Sequence, residues 1–498
     1  MDIVRLLPTS SCLKTRFVYM LKEMGVSLSK RIKSSSKYDQ KYDCEEGITW
    51  KEVDISEFDV RVDRVHINGL QRTKNDLATD CVKTLFKAKT FEEVIERANK
   101  ARKNLEKLVI ERANKARKNF EKLGCFRNIN VDIDINNDTA ATKNGLSVTF
   151  QLDEMKSIIG GVKTLIGDNE GSLAVGFKVP NVCGRAEKIT FDFTHGNKNT
   201  TCLNLSFIKP FQYRMSPVLT ASIFQQVGVW PQSGYMNKEK GILFDVTFPS
   251  FSKVRHSLQY EGVIREPSAL ERDAAFEVRE QSGLHFKSAL RHVLSADWRD
   301  ACIFPTRGLF FRTTTEVAGT RLLGGNVSFL KNDTFVQLNI PVLEDVVVQC
   351  SATGGFVKPL NRNVGILDLY YLGGPQTVRG FEIRGVGPHV GGNAIGANVF
   401  WASAIHIFTG LPFFTGKGGF GDHFRFHAFY NMGNAKNIGV SRRASENCMQ
   451  ISSAYGAGVA IRLGQMARVE FNYCIPVSIR KGDVSCPGWQ FGIGLEYL

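Results

Sequence analysis

Two arginines within a glycine-rich stretch are the residues of this sequence best placed to do chemistry. They are Arg379 and Arg384, in the segment Tyr371–His389, which reads YLGGPQTVRGFEIRGVGPH. So much glycine and charge is atypical of a strand, so the segment predicts a long loop between two strands. If the loop folds back into an apolar interior, the guanidinium of Arg379 can hold it through several hydrogen bonds. An ordinary surface loop is the alternative on spacing alone.

Motifs of enzymes and metal sites are missing from the sequence. It has no P-loop, dinucleotide fingerprint or Ser/His/Asp arrangement, so we predict no catalytic residue and no cofactor. His423 and His427 share a strand face but stand too far apart for a metal pair, and the 11 cysteines form no C-x-x-C pair, so we predict no metal. Cys474 and Cys486 could approach each other across a turn. The net charge of +15 is not gathered with aromatic residues, which argues against nucleic acid as a partner.

The elements that surround this loop alternate in polarity with a period of two from about Lys156 to Leu498. No stretch reaches the ~18–20 uncharged apolar residues of a transmembrane helix, but a barrel strand needs only ~9–11 residues. Sixteen or seventeen such segments can be counted, with ambiguous boundaries near Gly161 and Leu284. A soluble β-sandwich alternates in the same way, yet the long segments and Phe-rich outer faces favour a membrane barrel. In one segment Val469, Phe471, Tyr473 and Ile475 oppose Arg468, Glu470, Asn472 and Cys474.

Residues 60–155 predict a small α/β domain in front of the barrel. The patterns give the order strand, helix, helix, strand, strand. Thr73 or Asn75 can cap the first helix, and Thr90 followed by Glu93 is typical of a capping box that opens the second. The expected ranges are Val60–Ile67 for the first strand, a first helix that ends at Lys87, and Phe126–Ile135 and Leu146–Asp153 for the last two strands.

The second predicted helix contains a tandem duplication. Val94–Leu108 and Val109–Leu123 differ only at Leu105 and Phe120. If both copies are helical, the insert adds ~22 Å and turns the following face by ~60°, so one copy must leave the small core. A new basic contact surface is one interpretation, and a tolerated insertion is the favoured alternative.

Residues 1–59 form a basic tail followed by an acidic linker. Leu13, Phe17, Leu21 and Met24 recur at helical spacing beside basic residues, and the composition resembles a transit peptide. A solvated basic tail is equally open as an interpretation, and cleavage is left open too.

The tetrad VRGF at Val378–Phe381 resembles the loop signature of the superfamily of outer-membrane-protein insertases. That superfamily includes the barrel of the bacterial BAM complex and the core subunit of the mitochondrial sorting and assembly machinery, SAM, which fits best. The resemblance covers roughly Val60 to Leu498 and is supported by Glu170–Lys188, Phe429–Asn434, Tyr455–Tyr473 and Gln490–Leu498. It implies a sixteen-stranded transmembrane β-barrel preceded by one polypeptide-transport-associated (POTRA) domain. It also implies a mitochondrial outer membrane, with that domain in the intermembrane space.

The resemblance further implies that the loop 371–389 folds into the barrel lumen and locks there. In bacterial relatives the loop arginine pairs with acidic residues, whose places fall at His406 and Asn431 here. Arg379 would therefore bond to neutral acceptors, or to Glu470 if that residue faces inward. The residues of this loop lock are Gly373, Gly374, Pro375, Val378, Arg379, Gly380 and Phe381.

The ends of the barrel region predict a seam that can open. Gly160 and Gly161 lie in the first candidate strand, Gly492 and Gly494 in the last, and glycine weakens strand order. An opened seam offers unpaired backbone groups to an incoming strand. Glycines that merely relieve crowding in a static wall are the alternative. The chain end also matches the polar-x-Gly-x-x-hydrophobic-x-hydrophobic signal of mitochondrial barrels, at Gln490, Gly492, Leu495 and Tyr497.

The resemblance, together with the predicted seam, implies a non-enzymatic insertase as the expected function. A lateral gate would lie between Lys156–Ile166 and Trp489–Leu498. The expected partners are metaxin-like SAM subunits on the cytosolic face, β-barrel precursors, the lipid bilayer and inner-membrane contact-site proteins. A passive outer-membrane pore for metabolites and a soluble β-rich binding protein are the alternatives.

Overall fold

The structure, a computed structural model, describes thirteen stretches of the chain. They are residues 61–82, 123–135, 145–167, 170–211, 215–251, 253–272, 274–343, 345–361, 364–410, 420–438, 450–464, 467–494 and 497–498. The chain divides into two compact units. The first comprises residues up to Ile158 together with Val179–Glu187, and the second comprises Ile159–Lys178 and Lys188–Leu498.

The first unit is a three-stranded sheet with a helix. Strands β1 (Arg61–Asn68), β2 (Phe126–Ile135) and β3 (Gly145–Glu154) lie in the order β1-β3-β2, with β1 parallel and β2 antiparallel to β3. Helix α1 spans Asn75–Val82. Of the predicted order of strand, helix, helix, strand and strand, the described residues contain the three strands and the first helix. The second predicted helix, the N-terminal tail and residues 94–122 of the duplication lie outside the described residues.

The core of this unit follows from two local periodicities. Helix α1 buries Ala78, Cys81 and Val82, which share one helix face because they are three and four residues apart. Strand β3 buries alternate residues, among them Val148 and Phe150, against that face. Leu123, the last residue of the second duplicated copy, also packs into this core.

The second unit is a sixteen-stranded antiparallel sheet. Its strands are β4 (Ile159–Gly167), β5 (Glu170–Pro180), β6 (Lys188–Gly196), β7 (Thr201–Pro210), β8 (Val218–Trp230), β9 (Tyr235–Phe251), β10 (Val254–Ala269), β11 (His285–Asp297), β12 (Gly308–Ala318), β13 (Phe329–Leu343), β14 (Val346–Pro359), β17 (Val399–Thr409), β18 (Phe424–Lys436), β19 (Ser452–Leu463), β20 (Ala467–Ser478) and β21 (Gly488–Gly494). Successive strands of this sheet pair with each other, and the hydrogen-bonded order ends at β4 on one side and β21 on the other. Because β4 and β21 lie beside each other, the sheet closes into a barrel.

The predicted alternation is present in the barrel wall. On β20, Glu470 and Asn472 are fully buried inside, whereas Phe471 and Tyr473 are each 46% exposed on the outer face. Aromatic rings on that face pair between β20 and β21, with ring centroids of Phe471 and Phe491 4.8 Å apart. An outer face of exposed apolar and aromatic side chains is the surface of a barrel that sits in lipid. Within the described stretches, no helix combines the length and the apolar composition needed to cross a membrane.

The strands on the two sides of the seam are short. Strand β21 has 7 residues and β4 has 9, whereas β9 and β10 have 17 and 16. Among the described residues the hydrogen-bonded order ends at these two strands, so the seam lacks the ladder that joins the other neighbouring strands.

The long insertion between β14 and β17 folds back into the barrel interior. It contains the two-residue strands β15 (His389–Val390) and β16 (Asn393–Ala394), which pair with each other. Val378, Arg379 and Phe381 in this insertion are fully buried. A second helix, α2 (Phe276–Glu280), lies in the connection between β10 and β11. Cys474 and Cys486, which could approach each other across a turn, do not form a disulfide.

Candidate functional site: the lumenal loop and the last strand

The lumenal loop, residues 371–389, is a compact hairpin. Leu372 and Val386 form its bridge, with the Val386 N–H donating to the Leu372 carbonyl at 2.9 Å. Gly373 and Gly374 turn the chain with φ of 111° and 112°, a region that side-chain-bearing residues rarely adopt. A Cβ at Gly373 would lie 2.6 Å from the carbonyl oxygen of Glu382, so the turn requires glycine there.

The guanidinium of Arg379 uses all three of its nitrogens in the barrel interior. Nε and Nη2 each donate to Oε2 of Glu470 at 3.0 Å. Nη1 donates to the main-chain oxygen of Leu498 at 3.0 Å and lies 3.4 Å from Nε2 of His406. Arg379 and Glu470 are both completely buried. The arginine thus ties the loop to β20, to β17 and to the end of the chain at once.

A second cation shares the same carboxylate. Nη2 of Arg468 lies 2.6 Å from Oε1 of Glu470, and the Asn472 side-chain N–H donates to Oε2 at 2.8 Å. His427 continues the network, with Nε2 2.7 Å from Oδ1 of Asn472. Because two guanidinium groups surround one buried carboxylate, removing that carboxylate would leave two cations facing each other in a low-dielectric space.

The three candidate partners of Arg379 differ in their geometry. Glu470 and His406 both contact the guanidinium, as described above. Asn431 is buried too, but neither polar atom of its side chain has a hydrogen-bond partner among the described residues. The donors of Arg379 are already directed at Glu470, Leu498 and His406, which explains why none points to Asn431.

The loop also holds the last strand through side-chain amides. Oε1 of Gln490 accepts from the Gly380 N–H at 2.9 Å, and its Nε2 donates to the Phe381 carbonyl at 3.1 Å. In return, Nε2 of Gln376 in the loop donates to the carbonyl of Ile493 at 2.7 Å. Strand β21 is therefore bound to the loop at two points along its length.

Main-chain hydrogen bonds extend this attachment to the connection between β20 and β21. The Cys486 N–H donates to the Gly380 carbonyl at 2.8 Å, and the Val484 N–H donates to the Gly385 carbonyl at 2.8 Å. The Glu382 N–H donates back to the Val484 carbonyl at 3.1 Å. The loop pairs with this connection much as an added strand would.

Gly380 of the VRGF tetrad is fixed by close packing as well as by backbone conformation. Its φ is +86°, and a Cβ there would lie 2.7 Å from the Cβ of Ala454 in β19. Val378 and Phe381 on either side enter a buried apolar cluster with Leu372. The tetrad therefore combines a charged anchor, two apolar anchors and a glycine that permits contact with the wall.

The seam glycines differ between the two strands. The Cβ position at Gly161 in β4 has no atom within 4 Å, and at Gly160 it lies 3.2 Å from the ring of Phe177. In β21, by contrast, the Cβ position of Gly492 lies 3.0 Å from the Cβ of Pro375 and that of Gly494 lies 3.1 Å from Nε2 of Gln376. The last-strand glycines thus make room for the loop, a role that strand propensity alone did not reveal.

The structure describes only part of the predicted terminal signal. Tyr497 is buried and its hydroxyl donates to the Arg468 carbonyl at 3.0 Å, while the Leu498 N–H donates to the Gln376 carbonyl at 3.0 Å. Leu495 lies outside the described residues.

Arg384 is a second cationic anchor of the loop, with partners that the sequence did not indicate. Its guanidinium carbon lies 4.1 Å from the ring centroid of Trp230 and 3.9 Å from that of Tyr371, so it is held by two aromatic rings. Nη1 donates to the hydroxyls of Ser233 and Tyr235 at 2.8 and 3.1 Å. Ser233 lies 151 residues away in sequence, and only the second Arg-Gly pair of the loop could have drawn attention to Arg384.

The fold is that of a membrane-embedded β-barrel protein. It combines a closed sixteen-stranded barrel that has an apolar outer face with an interior loop and a small α/β unit. The soluble β-sandwich left open by the alternation is therefore excluded. Residues 181–497 match the Omp85 superfamily domain.

Proteins with similar sequences and folds narrow this class. Sorting and assembly machinery component 50 homolog B of Xenopus laevis is 40% identical over 445 residues, which cover 88% of this chain and 91% of that protein. The Homo sapiens homolog is 38% identical with the same coverages. The solved structure of BamA from Haemophilus ducreyi lacking POTRA domains 1-3 is similar in fold, with a TM-score of 0.68 at 15% identity, covering 87% of this chain and 85% of that chain. The chain therefore belongs to the Omp85 superfamily and, within it, to the family of sorting and assembly machinery component 50 homologs.

Proposed function

We propose that this chain inserts β-barrel precursors into the mitochondrial outer membrane through the seam between β4 and β21. The observation that carries the proposal is the attachment of the lumenal loop to one seam strand, through Gln490 and Ile493 of β21. The relatives in Xenopus laevis and Homo sapiens carry names that place them in a sorting and assembly machinery, which supports the same role.

The physics of an edge in lipid explains how such a seam would act. In the bilayer an unpaired backbone N–H or C=O costs several kcal/mol, so a strand edge there is satisfied only by another strand. Among the described residues the hydrogen-bonded strand order ends at β4 and β21, so parting these two strands exposes two edges at modest cost. A precursor strand that pairs with an exposed edge enters the membrane already hydrogen-bonded.

The contacts of the lumenal loop determine which of the two seam strands moves more readily. Strand β21 is tied to the interior by Gln490 and by the carbonyl of Ile493, whereas Gly161 of β4 has open space at its Cβ position. Opening then displaces β4 more readily than β21, and the edge of β4 accepts the first precursor strand. The activity is non-enzymatic, because strand pairing involves no covalent step.

The surroundings of the barrel follow from the same role. The first unit acts as a single POTRA domain in the intermembrane space, and its three-stranded sheet with a helix supports this assignment. Its partners are β-barrel precursors, metaxin-like subunits on the cytosolic face and inner-membrane contact-site proteins, with the lipid bilayer around the barrel.

Depletion of the chain from cells tests the proposal. Isolated mitochondria should then assemble radiolabelled porin and a second barrel precursor poorly, while an outer-membrane protein with one helical anchor inserts normally. Normal assembly of both barrels would reject the insertase. The alternative of a passive pore predicts the opposite pair of results, in which metabolite flux falls and barrel assembly is unchanged.

The seam needs its own experiment. A photoreactive side chain at position 162 should crosslink to an arriving porin precursor, because Val162 of the seam strand β4 is 66% exposed on the outer face. The matched control is position 264, an outward-facing residue of β10 that is 51% exposed and far from the seam in the strand order. Equal crosslinking at Val162 and Ile264 would contradict entry at the seam.

A further inference from the structure

A second buried charge cluster holds the chain where it enters the barrel interior, before the lumenal loop. Asp368 is 4% exposed, and its Oδ1 accepts from Nη1 of Arg265 at 2.8 Å. Nζ of Lys287 lies 3.9 Å from the same oxygen, and Nζ of Lys331 donates to the Asp368 carbonyl at 2.9 Å. Three cations from strands β10, β11 and β13 thus converge on one residue of the insertion.

The wall supplies carboxylates that keep these cations in place. Nε of Arg265 lies 3.5 Å from Oε1 of Glu239, and Nζ of Lys287 lies 3.2 Å from Oε2 of Glu261. Lys287 also forms an ion pair with Glu316 of β12. The cation side of the cluster is therefore built into the wall, and Asp368 is the carboxylate that the insertion adds to it.

Neighbouring contacts fix the same part of the insertion. The Ile366 N–H donates to Oε1 of Gln281 at 2.7 Å, and the Tyr370 hydroxyl donates to the Asn332 carbonyl at 2.8 Å. The Tyr370 N–H donates to the Ala397 carbonyl at 2.8 Å, which closes the base of the insertion on itself. Residues 366–370 therefore form a rigid base for the loop.

The two ion-pair anchors lie on opposite walls. In the order of sixteen strands, β20 with Glu470 is second from one end and β10 with Arg265 is tenth, a separation of 10 − 2 = 8 strands. Eight strands are half the circumference of a closed sixteen-stranded barrel. Asp368 and Arg379, which are 379 − 368 = 11 residues apart, are thus attached to facing walls, and the chain between them spans the lumen.

We propose that Asp368 is a positioning residue that fixes the base of the lumenal loop, so that Arg379 and Gln376 reach the last strands in one arrangement. This inference rests on the proposed insertase function. Without the Asp368 carboxylate, Arg265 and Lys287 lose a shared anion, and the base of the loop loses its ion pair with the wall, while Lys331 keeps its bond to the Asp368 carbonyl. The remaining contacts of Ile366 and Tyr370 hold the base less firmly, and the contacts of the loop with β21 form for only part of the time.

Paired substitutions separate positioning from simple stability. Asp368→Asn removes the charge at constant shape, Asp368→Glu keeps the charge, and Glu316→Gln removes a wall carboxylate that also pairs with Lys287. Each variant replaces the native chain in cells. The amount of folded barrel is measured by heat-modifiable electrophoretic mobility, and porin assembly is measured per folded barrel.

The expected result is that Asp368→Asn lowers porin assembly per folded barrel about fivefold, the size of a coupling between buried partners. Asp368→Glu should retain most of the native porin assembly per folded barrel. Glu316→Gln should lower the amount of folded barrel but not the assembly per folded barrel. If Asp368→Asn yields no folded barrel, the other two variants decide. The proposal is then supported if Asp368→Glu folds and assembles porin and if Glu316→Gln also folds. Equal losses per barrel in Asp368→Asn and Glu316→Gln, or none in Asp368→Asn, overturn it. In either case the insertase role stands if depletion of the whole chain still blocks barrel assembly.

Discussion

The side chain of Gln490 in the last strand holds the main chain of Gly380 in the lumenal loop. The Gly380 N–H donates to Oε1 of Gln490 at 2.9 Å, 110 residues away in sequence. The same amide donates to the next carbonyl, that of Phe381. Gln490 is also the polar residue of the predicted terminal barrel signal, so one side chain of that predicted signal joins the loop to the last strand.

Replacing Gln490 by leucine tests this joint. The change leaves the Gly380 N–H and the Phe381 carbonyl buried without partners, and each unsatisfied group costs about 1–3 kcal/mol. We expect the barrel to remain in the membrane and porin assembly to fall. Gln490→Glu keeps the acceptor for Gly380 but loses the donor to Phe381, so it should fall between leucine and the native residue. Assembly at the native rate in the leucine variant would show that the joint is dispensable.

The ion pair of Arg379 and Glu470 makes a prediction about stability. Removing the Glu470 carboxylate leaves the cations Arg379 and Arg468 uncompensated, at a cost of about 3–5 kcal/mol, whereas removing Arg379 leaves Glu470 paired with Arg468 and costs less. Arg379→Ala and Glu470→Gln should each lower the midpoint of thermal unfolding in detergent and slow porin assembly. Arg379→Lys should also assemble porin slowly, because one ammonium group cannot reproduce the three directed donors of the guanidinium.

A double substitution supplies the control for that pair. Arg379→Met with Glu470→Met leaves Arg468 without the carboxylate, whereas Glu470→Gln leaves both Arg379 and Arg468 without it. The double variant should therefore unfold at a higher temperature than Glu470→Gln alone while remaining poor in assembly. If the double variant assembles porin normally, the pair has a structural role only.

Much of this architecture could be predicted because strand alternation is a local property. The period of two placed Glu470 and Asn472 on one face and Phe471 on the other, as the barrel has them. Sixteen strands rather than seventeen is the outcome near Leu284, where a short helix at Phe276–Glu280 precedes β11. The glycine and charge content of the insertion likewise identified the loop.

The contacts of the loop could not be predicted in the same way. The pairs Gln490 with Gly380 and Arg384 with Trp230 join residues more than one hundred positions apart. Which residues meet across a barrel depends on strand register, and a local pattern does not fix register between distant strands. The role of Asp368 was missed for the same reason, because its partners lie on three strands that precede it in the chain.

Gly380 leads to a third prediction. Because its φ is +86° and an added Cβ would lie 2.7 Å from the Cβ of Ala454, alanine at this position is both strained and crowded. Gly380→Ala should cost about 1–3 kcal/mol, displace the VRGF tetrad and reduce porin assembly. Gly161→Ala is the matched control, since no atom lies within 4 Å of its Cβ position. Adding Ala454→Gly to Gly380→Ala should recover part of the loss, and equal behaviour of the two single variants would contradict this explanation.

The last prediction concerns Glu154 in the first unit and the pH dependence of local stability. Its Oε1 accepts from the main-chain N–H groups of Gln71, Arg72 and Thr73 at 3.0, 3.1 and 2.9 Å. Burial alone would raise the pKa of this carboxyl, but the hydrogen bonds from these residues outweigh burial and lower the pKa. A carboxyl with a lowered folded-state pKa stabilises fully above its unfolded pKa, about 4.3, and loses that contribution as the pH falls through its folded value.

Hydrogen exchange at residues 71–73 of the intact chain in detergent measures this contribution of Glu154. Near neutral pH these N–H groups should exchange more slowly than their intrinsic rate. In acid this protection should be lost, because the protonated carboxyl is a weaker acceptor for the three N–H groups. Glu154→Gln should lose the protection at every pH, whereas Asp153→Asn, at the exposed neighbouring carboxyl, should leave it unchanged. Protection of residues 71–73 that is the same in Glu154→Gln as in the native chain would refute the link.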